Sequence, residues 1–375
     1  MDNDQLILSL EKSVEKVHTQ SLDLSFNELL DMYMDGELDI NPDYQRLFRW
    51  TQGAQSRFIE SLLLEMPVPP IYVVESDEGR YQLIDGLQRF SSYLHLRGEL
   101  EAKHLDPEIN VGDFLKLQEC DIVEDLNGFV YDELPTSLKI RLKRAFVRVE
   151  VVRKGSDSKF RYHMFKRLNT GGEELTAQQL RNCTIRMLDP TFIDFVIHKS
   201  KSQDFQECIS NISKQQGLGS FDQELVLRYF SLKNYKHKFV HDVADFLTEY
   251  MEAVSDPENV EITFDYVEEE RVFDKLFLVL KKSLGDKSFG RVGRNGIQSN
   301  FSVYHYEGIC TGLLSKIDCI DPEDEAHIES LKTKIEELKS DHEFITVTTG
   351  GGKNSPGPLN RRVQLVIDKL AEFPL

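Results

Sequence analysis

"YQLIDGLQRFSSYLHL", residues 81–96, changes its character half-way along. Its first residues read as a buried strand, and the stretch after Gly86 reads as the opening turns of an amphipathic helix. One acid, one glycine and one arginine stand at the junction: Asp85, Gly86 and Arg89. The first N–H groups of a helix have no backbone partners and carry partial positive charge, which suits a phosphate or another anion. Gly86 allows a ligand close to the backbone, and Arg89, one turn in, can offer a bidentate fork. Asp85 is then placed to hold Mg2+, orient a water or accept from a ribose hydroxyl. The spacing equally allows a plainer arrangement, in which Asp85 caps the helix and pairs with Arg89 at i, i+4.

Outward from this junction, "PIYVVES" and "RYQLI" are split by Asp77-Glu78-Gly79 and predict a hairpin. Ser25 and Glu28 form a capping box that opens a helix stopping near Gly36. The extended stretch "INPDYQRLFRW" ends at Trp50, and a helix follows over about 52–65. Residues 99–134 are acidic and weakly patterned; "PTSLKIRLKRA" predicts a basic helix and "FVRVEVV" a strand. A helix then ends at Asn169-Thr170-Gly171-Gly172, and Thr176 with Gln179 opens the next. From about 190 the pattern is helical throughout. The expected class is therefore α+β: a small mixed-sheet domain over 1–190, then an all-α domain over 191–375.

The chain has 375 residues, a formal net charge of −19 and five cysteines without zinc-ligand spacing. Free thiols fit a reducing cytoplasm. The N-terminus lacks a basic leader and an apolar core, and no apolar run approaches a membrane span, so a cytoplasmic protein without membrane contact is expected. The acidic balance excludes a protein that coats nucleic acid non-specifically. The charge is uneven, however: Lys139 to Arg167 holds eleven Lys/Arg against two acids, Glu150 and Asp157. This run is either a solvated face or a local DNA contact, with Arg141, Lys143 and Arg144 as its candidates. "GGGK" at 350–353 is not a P-loop, because Val347 stands where the motif needs glycine.

Gln45-Arg46, in an extended segment, and Asn169 with Gly172, at a helix end, are further polar groups that a phosphate site could use. With these the residues reach a resemblance. "INPDYQRLFRW", "IESLLLEMPVPPIYVV", "YQLIDGLQRFSSYLHL" and "FKRLNTGGEELTAQQLRN", in this order, resemble the N-terminal domain family of GmrSD-type restriction proteins, related in fold to ParB/sulfiredoxin-like domains. The match covers roughly 24–185. It implies a nucleoside triphosphate-using or DNA-cleaving role in bacterial defence against phage or modified DNA. Carried over residue by residue, it implies catalytic Asp85 and Arg89, and nucleotide contacts from Gln45, Arg46, Gly86, Gln88, Asn169 and Gly172. Mg2+ at Asp85 and a nucleoside triphosphate are the implied ligands; DNA and a separate nuclease subunit are the implied partners. Leu87 departs from the family's Asp-Gly-Gln-Gln-Arg block and removes a donor and an acceptor. The histidines after 190 do not form the His-Asn-His nuclease set that many members carry, so the chain resembles the stand-alone module. Two other classes stay open: a metal-dependent DNA-nicking nuclease of ParB-like type, and a non-catalytic adaptor for DNA or a partner.

Overall fold

Residues 71–75 and 81–85 are rich in side chains that fill a pleated, half-buried surface, and both segments form strands. The computed structural model of the chain describes residues 18–40, 48–76, 79–154, 176–186, 188–240, 242–293 and 296–371, with isolated positions 5, 7, 10, 11, 156, 164, 167 and 373. It divides into two compact units, Met1–Leu175 and Thr176–Leu375.

The first unit runs β1 (Thr19–Ser25), α1 (Phe26–Met34), β2 (Leu38–Asp39), α2 (Gln52–Leu63), β3 (Ile71–Glu75), β4 (Tyr81–Asp85), α3 (Leu87–Leu96), α4 (Thr136–Arg144) and β5 (Phe146–Val152). Its five strands make one mixed sheet in the order β1-β5-β3-β4-β2. β3 and β4 form the expected antiparallel hairpin, while β3 runs parallel to β5, and β2 parallel to β4. β1 and β2 are additions to the sequence reading. In β1 only Leu22 and Leu24 alternate, and most of the strand stays exposed, so its period-2 signal is faint.

The caps are those the sequence offers. Ser25 Oγ accepts from the Glu28 amide at 3.0 Å, and Thr51 Oγ1 from the Ala54 amide at 3.2 Å. Phe26 of α1 lies against Phe58 of α2 and Tyr93 of α3, with ring centroids 5.7 and 5.3 Å apart. Each such buried ring contributes about 1.5–3 kcal/mol of transfer free energy. The acidic stretch 99–134 forms no α-helix, only two short 3-10 turns and an isolated antiparallel bridge between Ala102 and Ile109. It is anchored by Glu60 of α2, whose buried carboxylate accepts from the Ile122 and Val123 amides at 3.1 and 2.6 Å.

The second unit is helical, as its pattern predicts, with one exception. A two-stranded hairpin, β6 (Gly290–Gly293) and β7 (Gly296–Phe301), interrupts the helices. Its glycines hide it from a search for β-branched runs. Gly290 is required there, since a Cβ would fall 1.6 Å from the Gln298 carbonyl oxygen.

The helices of this unit also share a buried charge network. Among them, α5 is Ala177–Ile185, α9 Phe221–Asn234, α12 Val303–Leu313 and α15 Pro356–Lys369 (α6–α8 fall over Pro190–Leu218, α10 and α11 over Val243–Leu284, α13 and α14 over Glu325–Thr348). Glu307 of α12 accepts from Arg228 of α9 at 2.6 Å and from Arg362 of α15. Arg228 also forks onto Glu224 one turn away, at 2.7 and 3.0 Å. Removing one member of such a cluster leaves buried charges without a partner. Glu307→Leu is therefore expected to cost about 3–5 kcal/mol in urea denaturation followed by far-UV circular dichroism; a loss below about 1 kcal/mol would contradict the account of this network.

Candidate functional site

The strand-to-helix junction depends on one backbone conformation. Gly86 has φ 103° and ψ 11°, in the left-handed region that side chains disfavour. A Cβ on it would also lie 2.8 Å from Ile71 Cγ1 of β3. Gly86 occupies the N-cap position and brings no side chain to the first turn of α3, so no side-chain bond caps that turn. Asp85 does not cap the helix; it pairs with Arg89, Oδ2 to Nη2, at 2.8 Å. Of the plainer arrangement the spacing allowed, the ion pair is present and the cap is not.

The same Nη2 donates to the Pro70 carbonyl at 3.0 Å, which ties the start of β3 to α3. Arg89 is mostly enclosed, with its side chain 16% exposed. Its Nε is buried and has no acceptor among the described residues. A buried donor left in that state costs about 1–3 kcal/mol. Leu87, the departure from the family's block, is buried in the core at 4% exposure. The Asp85–Arg89 geometry stands with leucine in place.

Gln88 turns toward the preceding segment. Its Oε1 accepts from the backbone N–H of Arg49 at 3.0 Å and of Trp50 at 3.1 Å. The Trp50 carbonyl in turn accepts from Gln55 Nε2 at 2.9 Å, and Gln55 Oε1 faces His95 Nδ1 at 2.7 Å. Since the Gln55 oxygen can only accept, His95 donates through Nδ1. Burial pushes His95 down to about 4 against a weaker opposing pull from Asp113, so it is neutral at physiological pH. No local pattern announces this relay from α3 through α2 to residue 50, because its members are far apart in the chain. The relay holds the end of the segment that carries Gln45 and Arg46. Those two residues, with Asn169 and Gly172, lie outside the described residues.

Arg141, Lys143 and Arg144 stand exposed on α4. Part of the basic run is used within the unit: Arg141 donates to the Leu63 carbonyl at 3.1 Å, Lys139 to the Asp132 carbonyl at 2.7 Å, and Arg148 pairs with Asp23 at 3.3 Å. Among the described residues no group of three or more His, Cys, Asp or Glu side chains could hold a metal ion. No helix among them is long and apolar enough to cross a membrane.

Residues 26–186 match the family model described as the GmrSD restriction endonuclease, N-terminal domain. This segment is similar to that family. No curated protein and no solved structure matches the chain. The similarity points to a role related to restriction and defence. The matched segment runs from the first residue of α1 to the end of α5, and α5 belongs to the second compact unit. There Thr176 Oγ1 donates to the Gly219 carbonyl at 2.7 Å and Gln179 Nε2 to the Leu218 carbonyl at 2.8 Å. The polar side chains of "LTAQQLRN" thus include packing anchors of the helical unit.

Two outcomes check this geometry. Gly86→Ala should destabilise the first unit by about 1–3 kcal/mol, measured by urea denaturation read from the fluorescence of Trp50, the single tryptophan. For His95 the folded-state value lies below the unfolded value near 6.5, so the stability it contributes is complete above that pH. It is lost as pH falls from 6.5 toward about 4, on the order of 2–3 kcal/mol. His95→Gln, which keeps a donor to Gln55, should flatten that part of the pH–stability curve; an unchanged slope would remove His95 as its origin.

Proposed function

We propose that the Asp85–Arg89 junction binds the phosphates of a nucleoside triphosphate, as the nucleotide-using module of a restriction system that acts on DNA. The observation that carries this reading is the Arg89 Nε, a buried donor without an acceptor among the described residues, set beside a helix start that none of their side chains caps. A phosphate oxygen satisfies both features at once: it accepts from the guanidinium and from the first N–H groups of α3. Arg89 is held in place for this by Pro70 and Asp85, so its fork loses little side-chain freedom on binding.

Asp85 holds the neighbouring Nη2 of the guanidinium. A single carboxylate fits the way Mg2+ is held in nucleotide sites, where one or two protein oxygens are completed by phosphates and waters. Mg2+ would neutralise charge on the phosphates when bound there. The chain's own part is positional: Gly86 lets the phosphate reach the backbone, Arg89 faces developing negative charge, and Asp85 orients a water or the ion. From the family resemblance, Gln45, Arg46, Asn169 and Gly172 join them, and cleavage of DNA falls to a separate nuclease subunit.

Arg89→Lys separates the two roles of this residue, since lysine keeps the charge near Asp85 but lacks a planar fork. Titration calorimetry with ATP and GTP in Mg2+ should show binding by the natural chain and an affinity at least about tenfold lower (~1.4 kcal/mol) for the variant. A chain that binds neither nucleotide, or a variant that binds as well as the natural one, overturns the proposal.

A further inference from the structure

A groove in the first unit lies away from the Asp85 junction. It has a volume of about 720 Å³ and runs between the end of α2 with residues 65–68, helix α4 and the start of β5. Its apolar lining includes Met66, Ile140 and Phe146, which are 43%, 44% and 69% exposed. Phe146 is an outward-facing position at the head of a strand whose alternate residues, Val147 and Val149, are buried. A phenylalanine there adds nothing to the core. Three exposed apolar side chains sharing one concave surface are unlike the scattered singles of an ordinary surface.

The rim of the groove is basic. Arg141, Arg144 and Arg148 line it together with two acids, Asp23 and Glu65. Both acids are already matched: Arg148 faces Asp23 at 3.3 Å and Arg141 faces Glu65 at 3.4 Å. These pairs are exposed, so each holds its partners weakly. The Arg144 side chain forms no hydrogen bond or ion pair among the described residues, and Lys143 stands exposed beside it. The groove therefore combines an apolar floor with a basic rim on which Arg144 has no partner among the described residues.

That combination discriminates between ligands. A nucleic-acid strand would meet one aromatic ring for stacking and would leave the aliphatic Met66 and Ile140 unused. A helix with an apolar face at i, i+3, i+4 fills the floor, and its flanking carboxylates reach the rim arginines as bidentate pairs. We propose that this groove docks an acidic amphipathic helix of another protein chain, its apolar face on Met66, Ile140 and Phe146 and its carboxylates on Arg144. The site is independent of the Asp85 junction and of any nucleotide.

The probe is a fluorescein-labelled 16-residue helical peptide of Leu, Ala and Glu, with leucines on one face, titrated with the full chain by anisotropy. Saturable binding is expected, weakened at least tenfold by Arg144→Glu and by Phe146→Glu. Phe146 is largely exposed, so the chain carrying that change should melt as the natural one does; Ile140→Glu gives a second variant with the same expectation. A scrambled peptide and a Leu, Ala and Lys peptide should both bind at least tenfold more weakly. Equal binding of the lysine peptide, no effect of the variants, or no binding at all overturns the proposal. So does preferential binding of a fifteen-nucleotide dT strand that Arg144→Glu abolishes, which assigns the groove to nucleic acid. Tighter peptide binding by a chain carrying Ile7→Asp and Leu10→Asp makes residues 1–17 the occupant, and overturns the partner.

Discussion

At Gly86 the chain leaves a buried strand and enters a buried helix within one residue, and the left-handed conformation there is what lets it do so. Any side chain would be strained by the backbone and would press on Ile71. Because the turn is that tight, Asp85 and Arg89 meet one helical turn apart, and Arg89 reaches back to the Pro70 carbonyl at the head of β3. The same turn leaves the first N–H groups of α3 without a side-chain cap. Fold and candidate chemistry are therefore set by one residue: a cap at this position would stabilise the helix and close the site.

Around that turn the first unit is tied together by groups that each hold two segments. Arg89 fastens the Pro70 carbonyl as well as Asp85; Gln88 fastens residues 49 and 50; Glu60 fastens residues 122 and 123. In each case a buried or half-buried polar side chain supplies hydrogen bonds to backbone that would otherwise be desolvated without partners. This is how stretches with little regular structure, such as 99–134, are ordered on the unit. Buried polar groups act in the second unit as well, where Glu307 joins Arg228 and Arg362 across three helices.

The sequence carried the elements whose periodicity is strong. The β3–β4 hairpin, helices α2 to α4, strand β5 and the helical pattern after 190 follow from apolar spacing and caps. β1 and the β6–β7 hairpin escaped, the first because it buries little of either face, the second because glycines fill positions that propensity assigns to turns. At the candidate site, Asp85, Gly86 and Arg89 were legible because local spacing forces them together. The Pro70 carbonyl, the Gln88 clamp and the Gln55–His95 relay were not, since they join residues 19 to 40 positions apart. The basic run was legible as charge only. That it borders an apolar groove depends on where α2 ends against α4, which no local pattern encodes.

The central claim is that the buried Arg89 Nε–H is a phosphate donor. Its resonance in a 1H–15N correlation spectrum, assigned by its loss in Arg89→Lys, reports on this bond directly. On addition of a nucleoside triphosphate with Mg2+, the account predicts that this signal shifts downfield and exchanges more slowly with solvent, as expected for a donor that has gained a charged acceptor. A spectrum in which the Arg89 signal stays in place, while resonances elsewhere respond to the nucleotide, would contradict the claim.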